Sequence, residues 1–222
     1  MKYIGIDVGA DKFFAVYYSD KKDFIRKIEF NEYEEINEIL SGTDCVIAID
    51  APSGTRNSKE VRRKSEEELG IGGYFATPYK KGEAKPWMQS GFKIWKYLQS
   101  QGFKRAKYAQ NKISKLGKRA LIEVHPTIIF KQLYNPEIIN PVLWISRQEP
   151  PNKRKSEGRR KRKKLLIKKY PRFENKINGF GIDHIDCLIG AYTAEKVSKG
   201  RAKAFGDPAE GQIWFPSLKK EA

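Results

Sequence analysis

Two aspartates end two short apolar runs of the sequence. Asp7 ends KYIGID and Asp50 ends CVIAID, and each run has the length and composition of a buried strand. If these strands are parallel neighbours, both carboxylates lie at the edge of the sheet where the sites of open α/β sheets form. Turn residues are the alternative interpretation, because aspartate is common before glycine and the turn-like APSG directly follows Asp50. Two acids at equivalent strand ends favour a site.

Carboxylates that pack together repel each other, and burying their charge is costly. A divalent cation removes both penalties, and oxygen ligands suit Mg²⁺ or Mn²⁺. Glu123 lies in the apolar run LIEV, either at an exposed strand edge or in a polar pocket. His125 and His184 could tune proton transfer or simply be hydrogen-bonded, and their spacing matches no common zinc pattern.

A second pair of acids, Asp183 and Asp186, begins the helical segment DHIDCLIGAYTAEKV. Their i, i+3 spacing places them on one helix face. Capping of the helix N-terminus and metal binding both stay open as roles. The small residues Gly190, Ala191 and Ala194 predict that this helix packs closely on the sheet, which would bring the acids near the strand ends.

The elements that position these acids follow from the order of the apolar patterns. Three strands form an antiparallel meander, a helix follows, and a right-handed crossover lays CVIAID parallel to the first strand. Residues 58–69 predict a charged helix. Strands are predicted for KYIGIDVG, KFFAVYYS, DFIRKIEF, CVIAID, RALIEVHP and GQIWFPS, and helices for NEYEEINEIL, WMQSGFKIWKYLQSQG, TIIFKQLY, SEGRRKRKKLLIKKY and the segment of the acid pair.

The composition indicates a globular chain with an anionic partner. The 222 residues suit one domain, and 44 basic against 27 acidic residues give a net charge of +17. Such a charge favours nucleic acid as the partner, with an anionic membrane surface a distant second.

The N-terminus and the cysteines bear on localisation. Acidic residues occur by the eighth position, which argues against a signal peptide, and no apolar run approaches the ~18 residues of a membrane span. Cys45 and Cys187 lie in apolar elements and are predicted to be buried thiols, so we expect a cytoplasmic protein.

Positive charge is concentrated in residues 153–164, where nine of twelve residues are basic. A solvated charged face or a targeting signal is the alternative interpretation. Because no recognition-helix motif is present, we predict backbone contacts rather than base readout, with binding that weakens sharply with salt. The predicted nucleic-acid contacts are Lys153, Arg154, Lys155, Arg159, Arg160, Lys161, Arg162, Lys163 and Lys164.

Seven short blocks, in this order, resemble the DUF429 family of predicted nucleases of the ribonuclease H-like superfamily. They are GIDVG, AIDAPSG, RRKSEEELGI, EVHPTIIFKQL, KSEGRRKRKKLL, DHIDCLIGAYTAEKV and EGQIWFP. Cys187 stands where the family usually has alanine. The resemblance implies a single α/β domain over residues 1–222, with a ribonuclease H-like mixed five-stranded sheet of order 3-2-1-4-5 flanked by helices. It also implies a basic helical or loop insertion around residues 136–170.

The layout of the acids is similar to that of Holliday-junction resolvases of the RuvC type. Those proteins have one acid on strand one, one on strand four and a pair of aspartates on a late helix, although the strand-four acid here is Asp rather than Glu. The resemblance implies a nuclease that uses two Mg²⁺ or Mn²⁺ ions. It implies that Asp7, Asp50, Asp183 and Asp186 are metal ligands and catalytic residues, with Glu123 as a further catalytic candidate.

Two alternative functions stay open. One is a nucleic-acid-binding protein without hydrolysis. The other is an ATP-binding domain, because GIDVG also resembles the first phosphate loop of sugar-kinase and actin-like proteins. Those proteins need two such domains, and 222 residues is short for both.

Overall fold

The computed structural model describes residues 1–20, 22–40, 44–56, 61–72, 75–110, 112–114, 116–134 and 152–217. The predicted insertion therefore falls partly outside the described residues, at 136–151.

The strands are β1 (Lys2–Val8), β2 (Phe13–Ser19), β3 (Lys22–Phe30), β4 (Cys45–Asp50), β5 (Lys104–Arg105), β6 (Tyr108–Ala109), β7 (Lys112–Ile113), β8 (Arg119–Glu123), β9 (Ala202–Phe205) and β10 (Ile213–Pro216). The helices are α1 (Asn37–Leu40), α2 (Lys64–Glu68), α3 (Pro86–Ser100), α4 (Pro126–Tyr134), α5 (Ser156–Lys169) and α6 (Ile182–Ser198), with 3₁₀ turns at Tyr33–Ile36, Lys81–Glu83 and Pro171–Lys176.

A mixed sheet organises the fold. Its order is β3-β2-β1-β4-β8-β10-β9, with β5 beside β8, and β6 and β7 form a separate ribbon. The antiparallel meander β1 to β3 and the parallel pairing of β1 with β4 confirm the predictions. The predicted order 3-2-1-4-5 agrees with β3-β2-β1-β4-β8, because the fifth predicted strand, RALIEVHP, corresponds to β8. The predicted number of strands was wrong, because in the described part of the chain the sheet has eight: the β9–β10 hairpin extends one edge and β5 adds a short pairing.

Helices cover the two faces of this sheet. Successive side chains of a strand point to opposite faces, and the alternation along β1 shows it. Ile4 and Ile6 pack with Ile94 and Trp95 of α3, whereas Tyr3 belongs to the core that contains α4 and α6. Both cores are built from the central strands β1, β4 and β8, so the sheet carries the hydrophobic contacts that hold the helices in place.

Helix α6 lies directly on strand β1. A Cβ atom on Gly5 would come within 1.8 Å of the carbonyl oxygen of Cys187 and 2.6 Å of the amide nitrogen of Ala191. On the helix side, a Cβ on Gly190 would lie 3.5 Å from the Cα of Gly5. The close packing predicted from the small residues of this helix is confirmed, and its cause is a contact of backbone with backbone.

Residues 58–60 of the charged helix predicted for residues 58–69 lie outside the described residues, and the helix in the described part is shorter than expected. It begins at Lys64 and ends at Glu68, because the preceding Arg63 has extended backbone angles and a buried side chain. The prediction for the two cysteines is confirmed, since Cys45 and Cys187 are buried and unbridged. Across the described ranges, no helix has the length and apolar character needed to cross a membrane.

Candidate functional site

Asp7 and Asp50 are register partners on two parallel strands. The pairing of β1 with β4 runs from Lys2 opposite Cys45 to Asp7 opposite Asp50. Neighbouring strands of a sheet are about 4.8 Å apart, and the side chains of two residues that are register partners point to the same face. Both carboxylates therefore lie together at the carboxyl edge of the sheet, on the side of α6, as the sequence predicted.

The environment of these two acids disfavours their ionised forms. Burial, followed by the charge of Asp186, raises the pKa of Asp7 to about 7. Burial and the adjacent Asp7 raise the pKa of Asp50 well above its ordinary value. Carboxylates that are removed from water and close to like charges hold protons or attract a cation. The two acids are therefore expected to retain protons or to be compensated by a nearby cation.

Lys153 supplies positive charge to this cluster. Its Nζ lies 2.7 Å from Oδ2 of the buried Asp186, and Nη1 of Arg162 lies 3.3 Å from the other oxygen of the same carboxylate. Burial lowers the pKa of Lys153, but Asp186, Asp7 and Asp50 outweigh that effect and raise it overall. The ammonium group is thus held in its charged form among three carboxylates.

A cavity of about 250 Å³ opens at this edge of the sheet. One part of its wall is charged and includes Asp7, Asp50, Arg63, Glu123 and Lys153. The other part is largely apolar and aromatic, and includes Ile71, Phe75, Trp87, Val124, His125 and Thr127. The acidic pair therefore lines a half-open cavity that a small molecule or one unit of a polymer can enter.

Glu123 is the acceptor of a buried ion pair. Nη1 and Nη2 of Arg63 donate to its two oxygens at 2.9 and 2.6 Å, and the amide of Ser53 donates to it at 2.8 Å. Arg63 also donates from Nε to Glu66 at 2.9 Å. Of the two positions left open by the sequence, Glu123 occupies the polar pocket. Its contacts tie β8 to the turn after β4 and to α2, which fixes the wall of the cavity.

Helix α3 fixes the turn that follows Asp50. The indole nitrogen of Trp95 donates to the carbonyl oxygen of Ala51 at 3.1 Å. A Cβ on Gly91 would lie only 2.5 Å from the Cβ of Ala51, so the glycine inside this helix permits the close approach. The sequence predicted a helix here despite Gly91, and the contact explains why glycine stands at that position.

The two aspartates of α6 have different surroundings. Asp183 lies in the first turn, after the N-cap Gly181, where a negative charge complements the helix dipole. Asp186 lies one turn further, fully buried, and its carboxylate accepts from Lys153 and Arg162 instead of capping the helix. Neither side chain lines the cavity formed by the described residues. Asp186 acts on the cluster by its charge and by holding Lys153.

The two histidines lie in different places. His125 lines the cavity, and burial lowers its pKa to about 4, so it is neutral at physiological pH. His184 is buried away from that cavity, against the rings of Phe14 and Phe180 and 3.5 Å from Glu29.

The predicted basic segment divides into an exposed face and two inward-pointing residues. Arg162 is buried, with its guanidinium over the ring of Phe130, and it shares a helix face with the buried Leu166. Together with Lys153 it faces Asp186, so these two side chains are not part of the exposed face. Lys163 is half-buried. The exposed basic residues are Arg154, Lys155, Arg159, Arg160, Lys161 and Lys164.

The sequence did not indicate the roles of Arg63, Phe75 and Trp87. Arg63 is one of several charged residues in a row, and only its i, i+3 spacing to Glu66 hints at an ion pair. Phe75 lies in a loop, and Trp87 reads as part of the apolar face of α3. Their common feature is the cavity wall, which arises from tertiary structure.

The donor set at Asp7 and Asp50 fits a hydrated divalent ion. Mg²⁺ is commonly held by one or two carboxylates, with water and substrate phosphate as the remaining ligands. Among the residues that the structure describes, no group of three or more histidine, cysteine, aspartate or glutamate side chains is arranged to hold a metal ion. The larger ligand set with Asp183 and Asp186 stays a prediction, and it requires Lys153 to release Asp186.

Comparison with known proteins places the chain in one family. The family model described as "Protein of unknown function (DUF429)" matches residues 5–211, a range that includes the acidic pair, helix α6 and all but one of the residues that line the cavity. No curated protein and no solved structure matches the chain. The family match extends from β1 to the segment before β10, and the chain therefore belongs to the DUF429 family.

Proposed function

We propose that this protein is a metal-dependent nuclease that hydrolyses phosphodiester bonds of nucleic acid. The observation that carries the proposal is the register pairing of Asp7 with Asp50 in the wall of a cavity that Lys153 also lines. The order of the first five strands and the placement of acids on β1, β4 and α6 support a ribonuclease H-like relationship. The net charge of +17 supports a polyanionic substrate.

Asp7 and Asp50 would hold Mg²⁺ or Mn²⁺, with water and a phosphate oxygen completing the coordination. A bound ion would lower the pKa of its water and stabilise negative charge on the phosphate. A second ion would need Asp186 as a ligand, and Lys153 and Arg162 occupy that carboxylate. In this arrangement Lys153 provides positive charge where a second cation would stand.

The remaining chemistry follows from the residues of the chain itself. In hydrolysis, the oxygen of water forms a bond to phosphorus, the bond from phosphorus to the sugar oxygen breaks, and the leaving oxygen gains a proton. Lys153 lines the cavity, so its ammonium would neutralise a phosphate oxygen beside the acidic pair. The Arg63–Glu123 pair and the contact of α3 with Ala51 keep the wall rigid, and the exposed face of α5 would attract the neighbouring phosphates.

A cleavage panel tests the proposal. Labelled single-stranded, duplex, hybrid and branched substrates are incubated with Mn²⁺, with Mg²⁺ and with chelator. We expect metal-dependent cleavage of at least one substrate, and its loss in Asp7→Asn and in Asp50→Asn. Asp44→Asn changes an exposed acid just before the opposite end of β4 and serves as the control. Cleavage that survives in Asp7→Asn would refute the assignment.

The second candidate is a nucleic-acid-binding protein without hydrolysis. One observation favours it: the ammonium of Lys153 already compensates the charge of the acids without a metal ion. Calorimetry with Mn²⁺ separates the two functions. Binding that disappears in Asp50→Asn supports the nuclease, whereas absence of Mn²⁺ binding together with tight nucleic-acid binding supports the second candidate.

A further inference from the structure

The largely apolar part of the cavity wall contains an aromatic cluster. The ring of Phe75 lies 6.0 Å from that of His125 and 6.5 Å from that of Trp87, measured between ring centroids. Phe75 keeps 51% of its surface exposed although it is a large apolar side chain. Exposed aromatic faces that converge on a cavity are typical of binding sites for planar rings.

A buried polar atom of His125 in this wall is unsatisfied. Nδ1 of His125 is buried, and no hydrogen-bond partner for it exists among the described residues. A neutral imidazole offers one donor and one acceptor, and a buried polar atom without a partner carries a free-energy cost. A ligand with a polar edge and an apolar face would satisfy both His125 and the rings.

The size and charge of the cavity restrict what can enter. Its volume of about 250 Å³ lies just below the usual range of small-molecule pockets, which favours a single ring system. The same cavity contains Asp7 and Asp50, which are assigned above to the metal ion, and Lys153, which is assigned to a phosphate oxygen. A planar ring linked to a phosphate satisfies both halves of the wall, and that combination is a nucleotide.

We infer that the Phe75, Trp87 and His125 wall binds the base of one unpaired nucleotide, so that the substrate is a single strand or an unpaired position. This inference rests on the proposed function for its phosphate half. Stacking on aromatic rings tolerates any base, because every base has a π-face. The pocket would therefore recognise any unstacked base, whatever the nucleotide sequence.

The test compares strands that differ only in having bases. Binding of a labelled oligothymidylate and of an abasic strand of equal length is measured by anisotropy, with Ca²⁺ in place of Mg²⁺ so that turnover is suppressed. The wild-type protein should prefer the strand with bases. Phe75→Ala should weaken binding of that strand by about 5- to 150-fold, the range expected for one lost stacking contact, and leave binding of the abasic strand unchanged.

Three controls sharpen this test. Phe75→Trp should restore the preference for bases, whereas Tyr79→Ala, which removes an aromatic ring that is 46% exposed and does not line this cavity, should keep it. Thermal melting checks the fold of each variant. Competition by a free nucleoside monophosphate shows whether the pocket takes a single nucleotide or needs a strand.

The outcomes separate the two proposals. Equal losses on both strands in Phe75→Ala, or no loss on either, overturn the base pocket and leave the nuclease assignment standing. A Phe75-dependent preference for bases without metal-dependent cleavage supports the pocket and rejects the nuclease. Failure of the wild-type protein to distinguish the two strands also overturns the pocket.

Discussion

The ammonium nitrogen of Lys153 lies 2.7 Å from a carboxylate oxygen of Asp186, and its charge also acts on Asp7 and Asp50. One side chain therefore compensates the acids of strands β1 and β4 and of helix α6. A divalent ion bound at Asp7 and Asp50 would share its surroundings with this resident cation. Competition between the two cations is a direct consequence of the geometry.

Lys153→Met should strengthen metal binding in the absence of nucleic acid. Unit charges a few ångströms apart near a protein surface interact by a few kcal/mol, so removal of the ammonium should tighten Mn²⁺ binding by about tenfold or more. Isothermal calorimetry measures this affinity. Lys155→Met removes an exposed charge two residues away and should change it little. Unaltered or weaker Mn²⁺ binding in Lys153→Met would show that the ammonium and the ion do not share a site.

Asp7→Asn should change how stability depends on pH. The pKa of Asp7 is raised to about 7 from an ordinary value of 3.8, so between these values the folded protein retains a proton that the unfolded chain has lost. The free energy of unfolding therefore falls as pH rises through this window, and the asparagine variant should show a smaller fall. Urea unfolding at about pH 4 and about pH 8, without divalent ions, measures the difference. Asp44→Asn should follow the wild-type profile, and an Asp7→Asn profile parallel to it would contradict the raised pKa.

Glu123→Gln should destabilise the fold. The buried guanidinium of Arg63 would lose one of its two carboxylate partners, and breaking a buried ion pair from one side costs about 3–5 kcal/mol. Urea unfolding gives the loss in free energy. Glu67→Gln, at an exposed position of α2, should have little effect. If Glu123→Gln keeps its stability but loses cleavage, Glu123 is a catalytic residue and not a structural one.

Neutralising the exposed face of α5 should reduce the salt dependence of nucleic-acid binding. Each lost phosphate contact lowers the slope of log K against log salt by about 0.9 for duplex and about 0.7 for single strands. Arg159→Gln combined with Arg160→Gln therefore tests up to two contacts. Lys96 lies on α3, on the opposite face of the sheet, and Lys96→Gln serves as the control that should leave the salt slope unchanged. A slope that does not change in the double variant would place the nucleic acid on another surface.

The positions of Asp7 and Asp50 were predictable because the sequence shows both strand ends, and the right-handed crossover leaves little choice for how the strands pair. The order β3-β2-β1-β4 followed from the meander and the same rule, whereas the position of β8 beside β4 was implied by the family resemblance. The short strands β5, β9 and β10 were harder, because two to four residues carry little periodicity. GQIWFPS was predicted only as an added strand, and its partner β9 was not predicted.

Other parts of the site depend on contacts between distant segments. Arg63 and Glu123 are separated by 60 residues, and a charged run does not show which member turns inward. Lys153 and Arg162 look like their exposed basic neighbours until helix α5 docks beside Asp186. The aromatic wall joins a loop residue to the start of α3. Composition predicts a basic surface, but the packing decides which basic side chains reach the acids.

The contact between Gly5 and helix α6 has a consequence for the site. The backbone of strand β1 touches the backbone of helix α6 there, so no side chain can rotate to let the helix come closer or move away. This contact therefore fixes the position of Asp186, which pairs with Lys153. A single methyl group at Gly5 would lift the helix and separate Asp186 from Asp7. The missing Cβ atom of Gly5, two residues before Asp7, thus sets the distance between the charged groups of the strand and those of the helix.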